Sequence, residues 1–194
     1  RKVVVASNVA ESSLTVDGIV YVIDSGLFYE EGYEPETMVR YLVEEECSQS
    51  SILQRKGRAG RTKEGFCFHL YTKDNFYKRP KYPLPDIQKS DITNYLLDLL
   101  RLEYIKNIGD LKELLSEFIS PPQQKFINSG LRILHSIGAI SGLKDNNRIT
   151  KIGYKIAKFR GIKAGMALSL LLSKGYNCYN EVVILTAFMI ILDG

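Results

Sequence analysis

The chain lacks most of the short patterns that mark an enzyme complete in itself. No G-x-x-x-x-G-K-[ST] phosphate loop, no G-x-G-x-x-G turn, no G-x-S-x-G elbow and no H-E-x-x-H pair occurs in it. Acyl transfer, hydride transfer and metalloprotease chemistry therefore have no residues to carry them. A nucleotide-cleaving site, likewise, has nothing here to cradle the α- and β-phosphates or to hold magnesium. Cysteine is scarce and odd in number: Cys47, Cys67 and Cys178 form no C-x-x-C pair. That excludes a disulfide framework and a zinc ribbon, and points to thiols in a reducing compartment, nucleus or cytoplasm. His69 and His135 have no partner at ligand spacing, so no metal centre is expected. The most apolar run, Val182 to Leu192, falls short of the ~20 residues of a membrane span and reads as a core helix. No repeat, low-complexity tract or signal peptide is visible. Arg1-Lys2 run straight into Val3–Ala6, an apolar β-branched stretch expected to be a buried parallel strand, so both ends suggest a piece of a longer protein.

What is present is ordinary in bulk and particular in detail. The 194 residues are 45% hydrophobic and 25% charged, as in a folded chain of one large domain or two to three small ones. A net charge of +4 permits an anionic partner without demanding one. The particular stretch is Gln54-Arg55-Lys56-Gly57-Arg58-Ala59-Gly60-Arg61, three arginines and a glutamine spaced by small residues. At about 100° per residue, Gln54, Arg58 and Arg61 share one helical face and Arg55 points elsewhere. Guanidinium forks suit phosphate oxygens and stay charged at any working pH. Each glycine costs a helix about 1 kcal/mol against alanine, so the helix is expected to end near Gly57 with Arg58 and Arg61 at its tip. Short basic runs are usually solvated turns, but those are lysine-rich rather than arginine-rich and glycine-punctuated.

A second polar stretch precedes it, Ser7-Asn8-Val9-Ala10-Glu11-Ser12-Ser13-Leu14-Thr15-Val16-Asp17. Between the two, Gly18–Asp24 reads as a buried strand. Leu27–Tyr29 and Met38–Val43 flank the turn signal Gly32–Thr37, which predicts a long β-hairpin with an acidic tip of Glu30, Glu31, Glu34 and Glu36. Ser48 or Ser50 is placed to cap the helix of the arginine run. Phe66–Tyr71 alternates as a strand, and Pro80, Pro83 and Pro85 punctuate a linker. Beyond it, Ile92, Tyr95, Leu96, Leu99 and Leu100 form one helical stripe and Ile127, Leu131, Leu134 and Gly138 another. Residues 139–150 read as a small hairpin, Thr150 as the cap of a helix through Ile152, Ile156 and Phe159, and 163–173 and 181–192 as further helices.

The two polar stretches, in this order and at this separation, resemble motifs V and VI of superfamily-2 helicases, most closely the DEAH/RHA type. The resemblance implies an α/β RecA-like lobe, partial, with a parallel sheet and a protruding β-hairpin, then a winged helix and the start of an α-helical bundle. The corresponding spans are 1–83, 84–149 and 150–194. It implies an ATP site between two lobes, of which this chain supplies one wall. Arg58 and Arg61 match the fingers that reach the β- and γ-phosphates, and Gln54 the residue near the attacking water. Ser13 falls on the γ-phosphate side, and Thr15 is a further nucleotide contact whose hydroxyl local capping explains equally well. Asp17 matches the contact to the ribose hydroxyls, Arg55 matches the run as a nucleotide contact although it faces away on the helical wheel, and Ser7 and Asn8 match the edge that meets the nucleic-acid backbone. The implied cofactor is ATP with Mg2+, whose main ligands belong to a preceding lobe of the same protein. The implied partner is RNA tracked 3′ to 5′, with DNA as an alternative, and a protein activator stays open. A scaffold derived from a helicase, without catalysis, is the reading from another class. The source, cellular or viral, is not legible.

Overall fold

The structure is a computed structural model and describes residues 2–12, 16–60 and 63–193. Chain contacts divide the protein into two compact units: residues 1–34 with 39–85, and residues 35–38 with 86–194.

In the first unit, a four-residue helix α1 (Val9–Ser12) precedes strand β1 (Tyr21–Asp24). Strands β2 (Leu27–Glu34) and β3 (Val39–Glu46) pair antiparallel from Leu27 opposite Glu46 to Glu34 opposite Val39. This is the hairpin predicted from the Gly- and Pro-rich turn, and its strands run further than the apolar residues alone suggest. Helix α2 (Gln49–Lys56) follows, with Ser48 as its N-cap: the Ser48 hydroxyl accepts the Ser51 N–H at 3.3 Å. The helix ends at Gly57, as the glycine spacing predicts, and the chain turns through Arg58 and Ala59 to Gly60 at φ +86°. Strand β4 (Phe66–His69) lies parallel to β1, Tyr21 opposite Phe66 and Asp24 opposite His69. Helix α3 (Lys73–Lys78), capped by Thr72, fills the stretch before the prolines.

One expected strand is absent. Lys2–Ala6 forms no strand, and Val3 and Val5 are 86% and 94% exposed. A parallel strand exists only through a neighbour's hydrogen bonds, and among the described residues β1 pairs with β4 and offers this stretch none.

The second unit is built on apolar stripes. Helix α4 (Thr93–Leu99) buries Leu96 and Leu97 against α6 (Gln124–Ser136), which buries Phe126, Ile127, Leu131 and Leu134. Fully burying each such side chain is worth about 1.5–3 kcal/mol. Between them lies α5 (Ile108–Ser116), not read from the sequence, whose cap Asn107 accepts the Asp110 N–H at 3.0 Å. The wing expected over 139–150 reduces to one antiparallel bridge, Ile140 to Ile149. Thr150 caps α7 (Lys151–Ile156), accepting the Gly153 N–H at 3.0 Å. Helices α8 (Ala164–Ser173) and α9 (Tyr179–Asp193) follow, and α9 leaves Ile184, Phe188, Ile191 and Leu192 exposed. The hairpin turn Pro35–Met38 belongs to this unit, where the buried Ser129 hydroxyl donates to the Pro35 carbonyl at 2.7 Å. No helix among the described residues is long and apolar enough to cross a membrane.

Gly153 sits where α7 starts against the bridge, and a Cβ there would meet the Ala139 carbonyl and lie 2.8 Å from Ile149 Cγ1. Gly153→Ala is therefore expected to destabilise the protein by about 1–3 kcal/mol. Thr150→Ala, which removes the cap bond and the hydroxyl's bond to the Gly138 carbonyl but strains nothing, is expected to cost about 1 kcal/mol. Chemical denaturation of both variants checks the order.

Candidate functional site

The arginine run stands over a buried acid. β1 is a short apolar strand that ends in Asp24, and strand pairing with β4 carries that carboxylate inward. Its side chain is only 1% exposed. A buried carboxylate needs partners, and Asp24 has three. Oδ1 accepts the Gly26 N–H at 3.0 Å and Arg55 Nη1 at 3.0 Å, while Oδ2 accepts the Tyr71 hydroxyl at 2.9 Å. Burial pushes the Asp24 carboxyl up. The Gly26 N–H, the Tyr71 hydroxyl and the Arg55 guanidinium together outweigh it and hold the group below the usual carboxylate range.

Arg55 lies on the inward face of α2, with its side chain 14% exposed. Besides Asp24 it binds the Leu27 carbonyl through Nη1 at 2.9 Å, and its Nε donates to Glu11 Oε2 at 3.0 Å. Burial works against its charge, but the bonds to Glu11 and Asp24 raise its pKa overall.

Arg58 stands in the turn after α2. Its Nε donates to the main-chain carbonyl of Glu11 at 2.8 Å, and Nη2 donates to the same oxygen. Glu11 thus serves two arginines with two different groups, carboxylate for Arg55 and carbonyl for Arg58. Because α2 stops at Lys56, the helical count that put Arg58 and Gln54 on one face does not extend to Arg58. Gln54 is exposed in the last turn of α2. Asp17 is exposed, as are Ser7 and Asn8, whose carbonyls accept the Ala10 and Glu11 N–H groups at 3.2 and 3.0 Å. Ser13, Thr15 and Arg61 lie outside the described residues.

A second buried guanidinium backs the first. Arg79 donates through Nη1 to the carbonyls of Gly26 and Cys47 and through Nε to Asn75 Oδ1 at 2.8 Å, and its Cζ lies 4.5 Å from the centre of the Tyr71 ring. Gly26 makes this approach possible. It sits at φ +72°, and a Cβ there would fall 2.6 Å from the Tyr71 ring. Tyr71 gives its one proton to Asp24, so the hydrogen on the 2.7 Å contact with His69 Nδ1 comes from the imidazole. Burial and the Asp24 charge push the Tyr71 phenol up. Burial pushes the Cys47 thiol up to about 11 and the Cys67 thiol upward as well, so neither is a nucleophile at neutral pH.

Sequence reasoning singled out the arginines and missed Glu11, Asp24, Tyr71 and Arg79. One signal was available: a carboxylate closing an apolar strand, with an arginine on the inner side of a nearby helix, is a buried pair waiting to form. Among the described residues no group of three or more His, Cys, Asp or Glu side chains could hold a metal ion.

Comparison with known proteins places this geometry. Residues 130–160 match the family described as helicase associated domain (HA2), winged-helix. The chloroplastic DExH-box ATP-dependent RNA helicase DExH4 of Arabidopsis thaliana is 35% identical over 97% of this chain and 13% of its own length. ATP-dependent RNA helicase HrpA of Escherichia coli (strain K12) is 34% identical over 100% of this chain and 14% of its own. The crystal structure of Escherichia coli DEAH/RHA helicase HrpB superposes with a TM-score of 0.78 over 95% of this chain and 22% of that one, at 27% identity. By sequence and by fold the chain belongs with the DEAH/RHA-type helicase family. It spans 13–28% of the length of such curated relatives. In this DEAH/RHA segment the winged-helix match starts inside α6 and runs across the Ile140–Ile149 bridge and α7.

Asp24→Asn puts a neutral amide against Arg55, which keeps only the Glu11 carboxylate as a charged partner, so it is expected to destabilise the protein by about 1–3 kcal/mol at neutral pH. Because folding lowers the Asp24 pKa, the wild-type advantage is present above the unfolded value of about 3.9 and is lost as pH falls through the folded value. Urea unfolding followed by circular dichroism at neutral pH and at about pH 3 should show the gap between the two proteins closing on acidification.

Proposed function

We propose that this chain supplies, within a longer protein, the arginine wall of an ATP site in a motor that moves along RNA from 3′ to 5′. The observation that carries the reading is Glu11, a residue of the motif V-like stretch that binds both Arg55 and Arg58 of the motif VI-like run. One joint so placed lets events at the phosphates of ATP move the loop that meets the strand. In this reading Arg58 and Arg61 reach the β- and γ-phosphates, Gln54 lies near the attacking water, Ser13 stands on the γ-phosphate side, Thr15 is a further nucleotide contact, and Asp17 contacts the ribose. Ser7 and Asn8 meet the nucleic-acid backbone. The phosphate loop and the ligands of Mg2+ belong to a preceding lobe of the longer protein. The three spans 1–83, 84–149 and 150–194 serve as the later part of the second lobe, the winged helix and the start of the ratchet bundle.

Forked cations suit this work because the transferring phosphoryl group spreads charge over its oxygens, and a planar guanidinium meets two of them at once. Closure of the lobes on ATP and opening after hydrolysis would then alternate the position of the strand-binding edge. Contacts to backbone carry no base information, so little sequence preference and a marked salt dependence accompany the mechanism. The three cysteines are free, which fits a reducing compartment such as nucleus or cytoplasm.

The test uses the full-length protein. Arg58→Ala or Arg61→Ala is expected to abolish RNA-stimulated ATP hydrolysis, a loss of ~10³-fold or more, while single-strand binding stays near wild type. Wild-type turnover in both variants overturns the reading, and equal stimulation by DNA homopolymers would move the substrate from RNA to either nucleic acid.

A further inference from the structure

We infer that Glu11, Arg55 and Asp24 form a strut that positions Arg58, and that Arg55 is a positioning residue of this strut and not a ligand of the nucleotide. The inference rests on reading Arg58 as the group that meets phosphate. It reassigns the first arginine of the run, which the family resemblance counts among the nucleotide contacts.

The anchor of the strut is rigid. Asp24 is 1% exposed and held by the Gly26 N–H and the Tyr71 hydroxyl as well as by Arg55. Arg55 spans from that anchor to Glu11, with Nη1 on Asp24 and Nε on Glu11, both at 3.0 Å. To reach a phosphate instead, it would have to abandon two carboxylates, one of them buried with no water to replace the lost partner.

The free end of the strut carries the consequence. Arg58 donates to the main-chain carbonyl of Glu11, not to its side chain. The Glu11 carboxylate is therefore available to be clamped by Arg55, and the clamp locates the carbonyl on which the Arg58 fork rests. The preceding carbonyls of Ser7 and Asn8 bond to the N–H groups of Ala10 and Glu11, so a displacement of that short loop also passes through Glu11 to Arg58. A small error in finger placement is enough to cost turnover, since catalysis by such groups is positional.

The experiment measures RNA-stimulated ATPase kinetics of the full-length protein with Glu11→Ala and Glu11→Gln, each alone and combined with Arg58→Lys. Lysine keeps the charge and has no fork to rest on the carbonyl. Glu11→Ala is expected to lower kcat about 10-fold with KM for ATP little changed. Glu11→Gln should recover most of that loss, because an amide oxygen still accepts from Arg55 Nε. In the Arg58→Lys background the same Glu11→Ala change is expected to cost no more than about 2-fold, the non-additivity of residues that act through one another. Wild-type kcat for Glu11→Ala overturns the strut, and so does an equal fold-loss in both backgrounds, which would mark a general structural defect. If Glu11→Ala fails to fold by circular dichroism, Glu11→Met, which keeps the volume and removes the acceptor, carries the same comparison in both backgrounds. An Arg58→Ala protein with wild-type turnover would sink the phosphate reading itself. An inactive Arg58→Ala protein beside a wild-type Glu11→Ala protein sinks the strut alone.

Discussion

A guanidinium shut between two carboxylates governs the first unit. Arg55 comes from the inner face of α2, Asp24 from the end of β1 and Glu11 from α1, three elements separated by 31 and 44 positions in the chain. Neither charge could be buried alone, because desolvation would cost more than the fold can supply. Once paired, they hold the helix of the arginine run, the strand that precedes the hairpin and the loop before them in one arrangement. Arg79 repeats the device behind Tyr71, binding main-chain carbonyls at both ends of the hairpin stem through Gly26 and Cys47.

That arrangement gives the two arginines different partners. Arg58 rests on the main-chain carbonyl of Glu11. Arg55 rests on carboxylates, which satisfy its charge within the protein. Two residues of one type, three positions apart, thus differ because one sits inside the helix and the other in the turn beyond Gly57.

The second unit follows simpler rules. Its helices place apolar stripes against one another, and its chain reversals are capped by side chains, Asn107 at α5 and Thr150 at α7. Lys112 reaches Asp145 at 2.7 Å across the same corner where the first N–H groups of α5 bond the carbonyls of Asn147 and Asp145. Its helices are set by local periodicity and caps, which is why most were readable in advance. The exception, α5, is nine residues long and carries only Ile108, Leu111 and Leu115 on its buried face.

By itself the sequence determined what depends on near neighbours. The helix ending at Gly57, the Ser48 and Thr150 caps, the hairpin around Pro35 and the arginine run with its preceding polar stretch are all local, since propensity, capping and turn chemistry act over a few residues. Tertiary structure decided what depends on distant partners. Lys2–Ala6 has the composition of a strand and is not one, because a strand is a relation between two segments. Arg55 looked like an outlier on a helical wheel and proved to be the tie between three elements, because burial, which no wheel records, forces a charge to find its opposite.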